Sequence, residues 1–209
     1  MKKLLLMVLT AALLLMPLGT VAMADDEMPE SSPLVNEAYT PGEAPAATDV
    51  QSMIPAMHAV LLAMGSQGAT SFCAEDPEMA WVMLYNLLSM YGQMDDRSVY
   101  DGEVMILPSE TVMDYSAALF PAPLSPDQLP DSLSDRITYH PEADEYHLYC
   151  GNDDLSEIVL TNVRDLGSSI AVSGKLMYVA EDQELASFTT SLNVADNLFG
   201  YSMVGLDVL

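Results

Sequence analysis

Residues 76–92 read DPEMAWVMLYNLLSMYG, and the fold turns on how that stretch is housed. Asp76 suits a helix N-cap, Pro77 the first helical position, Glu78 the positive end of the dipole, and Gly92 the close. Between those signals Met79, Trp81, Val82, Met83, Leu84, Tyr85, Leu87, Leu88, Met90 and Tyr91 leave no polar face. A helix that is apolar all round must be covered on most sides. About 15 helical residues span roughly 22 Å, short of the roughly 30 Å of bilayer hydrocarbon, so the stretch predicts a core helix and not a membrane span.

Upstream, Met53, Ile54, Met57, Val60, Leu61 and Met64 recur at helical steps. This predicts a first helix capped by Ser52, with Pro55 in its first turn and Gly65 and Gly68 at its end. Downstream, Asp101-Gly102 marks a tight hairpin within 99–107, and Pro108-Ser109 opens a third helix over 110–120 with Val112, Tyr115 and Leu119 on one side. Pro121, Pro123, Pro126 and Pro130 then forbid regular structure, while Leu124, Leu129 and Leu133 are expected to pin the loop.

The remainder reads as strands at 136–140, 146–150, 156–164, 169–179, 185–195 and 201–208, joined by short polar turns. Short links predict an antiparallel meander. Alternation places Ile170, Val172, Leu176 and Tyr178 on one face, Phe188, Leu192 and Val194 on another, and Val204, Leu206 and Val208 on a third. The expected fold class is α+β: N-terminal helices and a curved antiparallel meander sheet wrapped over a buried central helix.

That element order, over residues 52–209, resembles the NTF2-like and cystatin-like group, in which a bent sheet wraps a long helix. DYSAALFP at 114–121, ITYHPEADEYHLY at 137–149 and FGY at 199–201 resemble uncharacterised exported proteins of Gram-positive gut bacteria. The resemblance implies a fold and an exterior setting; it brings no activity and no functional residue with it.

Three segments are expected. Residues 1–24 carry Lys2 and Lys3, an apolar run from Leu4 to Met16, and Ala22-Met23-Ala24, the pattern of a signal peptide cleaved after Ala24. Residues 25–49 hold four prolines and seven carboxylates with no basic residue, the composition of a disordered tail. Residues 50–209 form the α+β domain. Beyond the leader, only Arg97, Arg136, Arg164 and Lys175 offset 31 carboxylates. Such a field disfavours nucleic acid and anionic lipid surfaces as partners, and either simply solvates the surface or attracts cationic partners.

Export places Cys73 and Cys150 where a disulfide between them is the expected state, with two reduced thiols as the alternative. Closing that loop stabilises by at most roughly 4.5 kcal/mol on the chain-entropy model.

No catalytic constellation emerges. His147 and Cys150 are three apart on a strand and so lie on opposite faces. His140 and His147 flank a hairpin turn and can approach across it. His58, beside Met57, reads as a boundary histidine. There is no GxSxG or HExxH pattern. Asp153, Asp154 and Glu157 are weak calcium candidates, without EF-hand spacing. Met53 and Met57 with His58 could surround copper(I), but their helical spacing predicts core packing. No cofactor is expected. A bent sheet over a helix commonly encloses a cavity, and Trp81, Tyr139, Tyr178, Tyr201 and Met203 either line one or fill the core.

The leading functional expectation is therefore a secreted, non-enzymatic binding module for an extracellular protein, peptide or small ligand. The alternatives are an enzyme of NTF2-like type with a carboxylate or histidine base, and an inhibitor of an envelope hydrolase. A filled interior with an exposed, ordered 121–135 loop would favour the binder or inhibitor.

Overall fold

A computed structural model describes residues 49–72, 75–150 and 155–209; the expected leader and nearly all of the expected tail lie outside them. The class is α+β. A short 3-10 helix, Gln51–Met53, leads into α1, Ile54–Gln67; α2 is Pro77–Tyr91 and α3 is Ser109–Ser116. The strands are β1 (Val99–Asp101), β2 (Val104–Pro108), β3 (Ile137–His140), β4 (Glu145–Tyr149), β5 (Ser156–Asp165), β6 (Ile170–Tyr178), β7 (Gln183–Val194) and β8 (Tyr201–Val208).

The signals around α2 act as expected at its start. The Asp76 carboxylate accepts from the Glu78 and Met79 amides at 3.0 and 3.4 Å, satisfying two orphan donors of the first turn. Its end differs. Gly92 keeps a right-handed φ of −60°, and its amide donates to the Leu88 carbonyl. Glycine leaves room there: a Cβ would lie 2.9 Å from Met105 Cε, and the methionine end would have to shift. Ser52 is not the cap of α1 either, because its hydroxyl donates to the Phe199 carbonyl at 2.7 Å. Gly68, at φ +66°, closes that helix in the left-handed region as its position suggests.

Trp81, Met83, Leu84, Leu87 and Leu88 of α2 are fully buried. The helix packs chiefly on α1, and also against α3. On the side of β4, the Trp81 and Tyr146 rings lie 6.1 Å apart and the Tyr85 hydroxyl donates to the Tyr149 carbonyl at 2.7 Å. Met53, Met57 and Met64 are buried in the same core, as their spacing predicts.

The strands do not form one meander. They make two four-stranded antiparallel sheets, ordered β1-β2-β4-β3 and β5-β6-β7-β8. The reason lies in β4, whose two edges are taken by β2 and β3. No edge remains for β5, which instead begins a second sheet. Consecutive strands pair by default, and that default fails here because β2 returns from far upstream.

Two of the expected faces need correction, one of them because of a bulge. In the β7–β8 ladder Leu192 pairs with Met203 while Ser191 pairs with Gly205, so Val204 is the extra residue and turns outward, 56% exposed. It therefore leaves the face it was expected to share with Leu206. Val194 at the end of β7 is also exposed, unlike Phe188 and Leu192. On β6, Ile170, Val172 and Leu176 face the core as expected.

Candidate functional site

The 121–135 loop is ordered by contacts at every few residues. The Ser125 amide donates to Gln128 Oε1 at 3.1 Å, and a 3-10 turn follows at Pro126–Gln128. A second turn, Asp131–Leu133, buries Leu133. Leu124 and Leu129 pack on the core, and the Ser132 hydroxyl donates to Glu78 Oε1 at 3.0 Å, tying the loop to the start of α2. Prolines limit the entropy lost on ordering, which is why so polar a segment can stand fixed.

Two clefts flank this loop, and Pro126 lines both. The larger, about 440 Å³, lies between the loop and the outer edge of β3. Pro126, Leu129 and Pro130 supply apolar wall; Asp127 and Asp131 supply charge; Thr138 and Tyr139 supply strand residues. The smaller, about 210 Å³, lies towards α3 and is lined by Leu84, Val112, Met113, Leu124 and Tyr146 among others. β3 ends its sheet, and the Tyr149 amide donates to the Arg136 carbonyl. By antiparallel alternation the backbone of Tyr139 then points away from β4, towards the larger cleft.

Of the five residues weighed as cavity lining, Tyr139 alone borders either of these clefts. Its hydroxyl donates to Asp144 Oδ1 at 2.8 Å, which pushes the phenol's pKa up. Trp81 and Tyr201 are fully buried and Met203 nearly so; they fill the core. Tyr178 ends β6 opposite Ser156 and Gln183.

His140 and His147 do meet, with ring centroids 4.0 Å apart on the face of the first sheet. His147 Nε2 lies 2.8 Å from Glu145 Oε1, and His140 Nε2 lies 3.2 Å from Thr138 Oγ1. These rings are already engaged with neighbours on their own strands. Among the described residues no group of three or more His, Cys, Asp or Glu side chains is arranged to hold a metal ion. Asp153 and Asp154 lie outside the described residues, and Glu157 stands exposed on β5.

His58 is a correction. It is buried, with Nδ1 2.7 Å from the Tyr91 hydroxyl and Nε2 2.8 Å from the Ser156 hydroxyl. A serine on a histidine nitrogen is half of a nucleophilic dyad. Here the far nitrogen meets a phenol rather than a carboxylate, and neither cleft reaches Ser156. The trio ties α1, α2 and β5 together. Sequence offered no sign of it, since His58 and Ser156 are 98 residues apart.

Cys150 carries a free, exposed thiol 3.8 Å from the Tyr100 hydroxyl. Cys73, its expected disulfide partner, lies outside the described residues. Arg97 gathers Asp95 and Asp114, each at 2.7 Å, with Glu110 at 3.7 Å. Hydrogen bonding to Arg97 holds the Asp95 carboxyl below its ordinary pKa. No described helix is long and apolar enough to cross a membrane.

Compared with known proteins, the chain matches no family model and no curated protein sequence. The functional reading therefore rests on the geometry above.

Proposed function

We propose that this is an exported binding module whose fixed proline-rich loop, residues 121–135, and the cleft beside β3 receive an extended, cationic segment of a protein or peptide. The observation that carries this reading is the larger cleft, which sets Asp127 and Asp131 against a strand edge at the end of a sheet. An extended peptide laid along such an edge gains main-chain hydrogen bonds, and alternate side chains find pockets. Two carboxylates in the wall select Lys or Arg on the incoming segment. A core filled by Trp81, Tyr201 and Met203 supports a binder over a pocket enzyme. The fold resemblance to NTF2-like and cystatin-like proteins, and a Cys73–Cys150 bridge formed after export, belong to the same proposal. Intact mass with and without reductant reports the bridge.

The test is capture from culture envelope and supernatant by immobilised residues 25–209, beside the variant Asp127→Lys/Asp131→Lys. A partner retained by the first and lost from the second supports the reading. Equal retention by both removes the cleft from it.

A further inference from the structure

We propose that two copies of this chain pair through β5, joining their second sheets across a twofold axis into one eight-stranded sheet. β5 is the outer strand of β5-β6-β7-β8, and Glu157, Val159 and residues 161–165 are exposed. The opposite edge is occupied: the segment before α2 bridges β8 at Ser71–Asp207, and the Phe72 amide donates to the Leu206 carbonyl at 2.7 Å. A ten-residue strand with one edge unpaired among the described residues is a template for another strand.

The identity of that strand follows from the bulge. Leu160 pairs with Gly174 and Asn162 with Ser173, so Thr161 is an extra residue. On an unbroken strand, residues 157 and 164 would point to opposite faces. The inserted residue brings both to the outer face, where Glu157 pairs with Met177 and Arg164 with Ala171. When β5 lies antiparallel to a copy of itself about a twofold axis between Leu160 and Thr161, Glu157 faces Arg164 of the mate, and Arg164 faces its Glu157. In the same register Ile158 meets Val163 on the inner face, and Val159 meets Asn162 on the outer. Every opposed pair flanking the bulge shares a face, which a strand paired with itself in this register requires.

Charge argues the same way. Arg97 and Lys175 hold carboxylates within 4.0 Å, and Arg136 lies over the Tyr85 ring. Arg164 stands exposed with no ion pair to a described residue, although the chain carries 31 carboxylates. The twofold arrangement gives it one, twice. At physiological salt the screening length is about 8 Å, so the adjacent pairs are felt while the mutual repulsion of two acidic molecules is damped.

Sedimentation equilibrium of the chain at micromolar concentration and 0.15 M salt tests this, with Glu157→Arg, Arg164→Glu and the combined exchange. The expected result is a dimer that each single change weakens about tenfold or more, and that the combined exchange restores. Both positions are exposed, and circular dichroism verifies that each variant keeps its fold. A parent chain that stays monomeric up to about 100-fold higher concentration overturns the proposal. So does a dimer indifferent to the single changes, or one that the exchange fails to restore.

Discussion

Gly174 and Phe188 pair directly across β6 and β7, and the phenyl ring lies over the glycine: a Cβ at 174 would sit 2.7 Å from Phe188 Cζ and 3.0 Å from the Val159 carbonyl. The absent side chain makes room for one of the largest buried residues of the second sheet. Gly174→Ala is therefore expected to cost about 1–3 kcal/mol by overpacking, and Phe188→Ala about 3–5 kcal/mol by leaving a cavity. Urea denaturation of both variants and the double measures it. The double should fall short of the sum, because alanine at 174 then has the space the ring vacated.

The N-terminus of α2 offers a smaller effect. Asp76→Ala removes the acceptor for the Glu78 and Met79 amides, and about 1 kcal/mol of stability should go with it. Asp76→Asn keeps an acceptor and should lose only a fraction of that. Comparing the two denaturation midpoints separates capping from charge.

Alkaline pH should unfold the protein through its buried phenols. Burial raises Tyr115 and Tyr146 to about 12 from an ordinary 10.0. A raised pKa means that the folded state holds its proton when the unfolded state has lost it. The contribution is complete below about 10 and disappears as pH climbs towards about 12. Tyr115→Phe and Tyr146→Phe should each flatten the decline in melting temperature over that window.

At acid pH the sign reverses. The Asp95 carboxyl is depressed below 3.8, first by its hydrogen bond to Arg97. Stability from this contact is present above the ordinary carboxylate range and is lost as pH falls below 3.8 through the folded value. Asp95→Asn should be less stable than the parent at pH 7 and should lose less on acidification. Melting temperatures of both proteins from pH 7 to about 2 report it.

Much of the fold was legible because it is written locally. Asp76-Pro77 starts α2, Gly102 takes φ +65° between β1 and β2, and the core face of β6 follows period two. The sheet division was not legible, since it depends on β2 reaching past α3 and the proline loop to β4. Bulges at Thr161 and Val204 were hidden for a similar reason: an extra residue on one strand is defined by its partner. At the site, the 121–135 loop could be singled out from proline spacing and its pinning leucines. The carboxylates that give its cleft a chemistry could not, because every loop in so acidic a chain carries some. His58 looked like a boundary residue because its two partners come from distant elements.

β4 has both edges filled, so no strand-to-strand hydrogen bond joins the two sheets among the described residues. Shared packing on the helices links them, with ties such as His58–Ser156 from α1 to β5. The molecule is thus able to open in parts. Amide protons of β5 to β8 should exchange with deuterium together, at a rate set by one cooperative unit, and those of β1 to β4 at another.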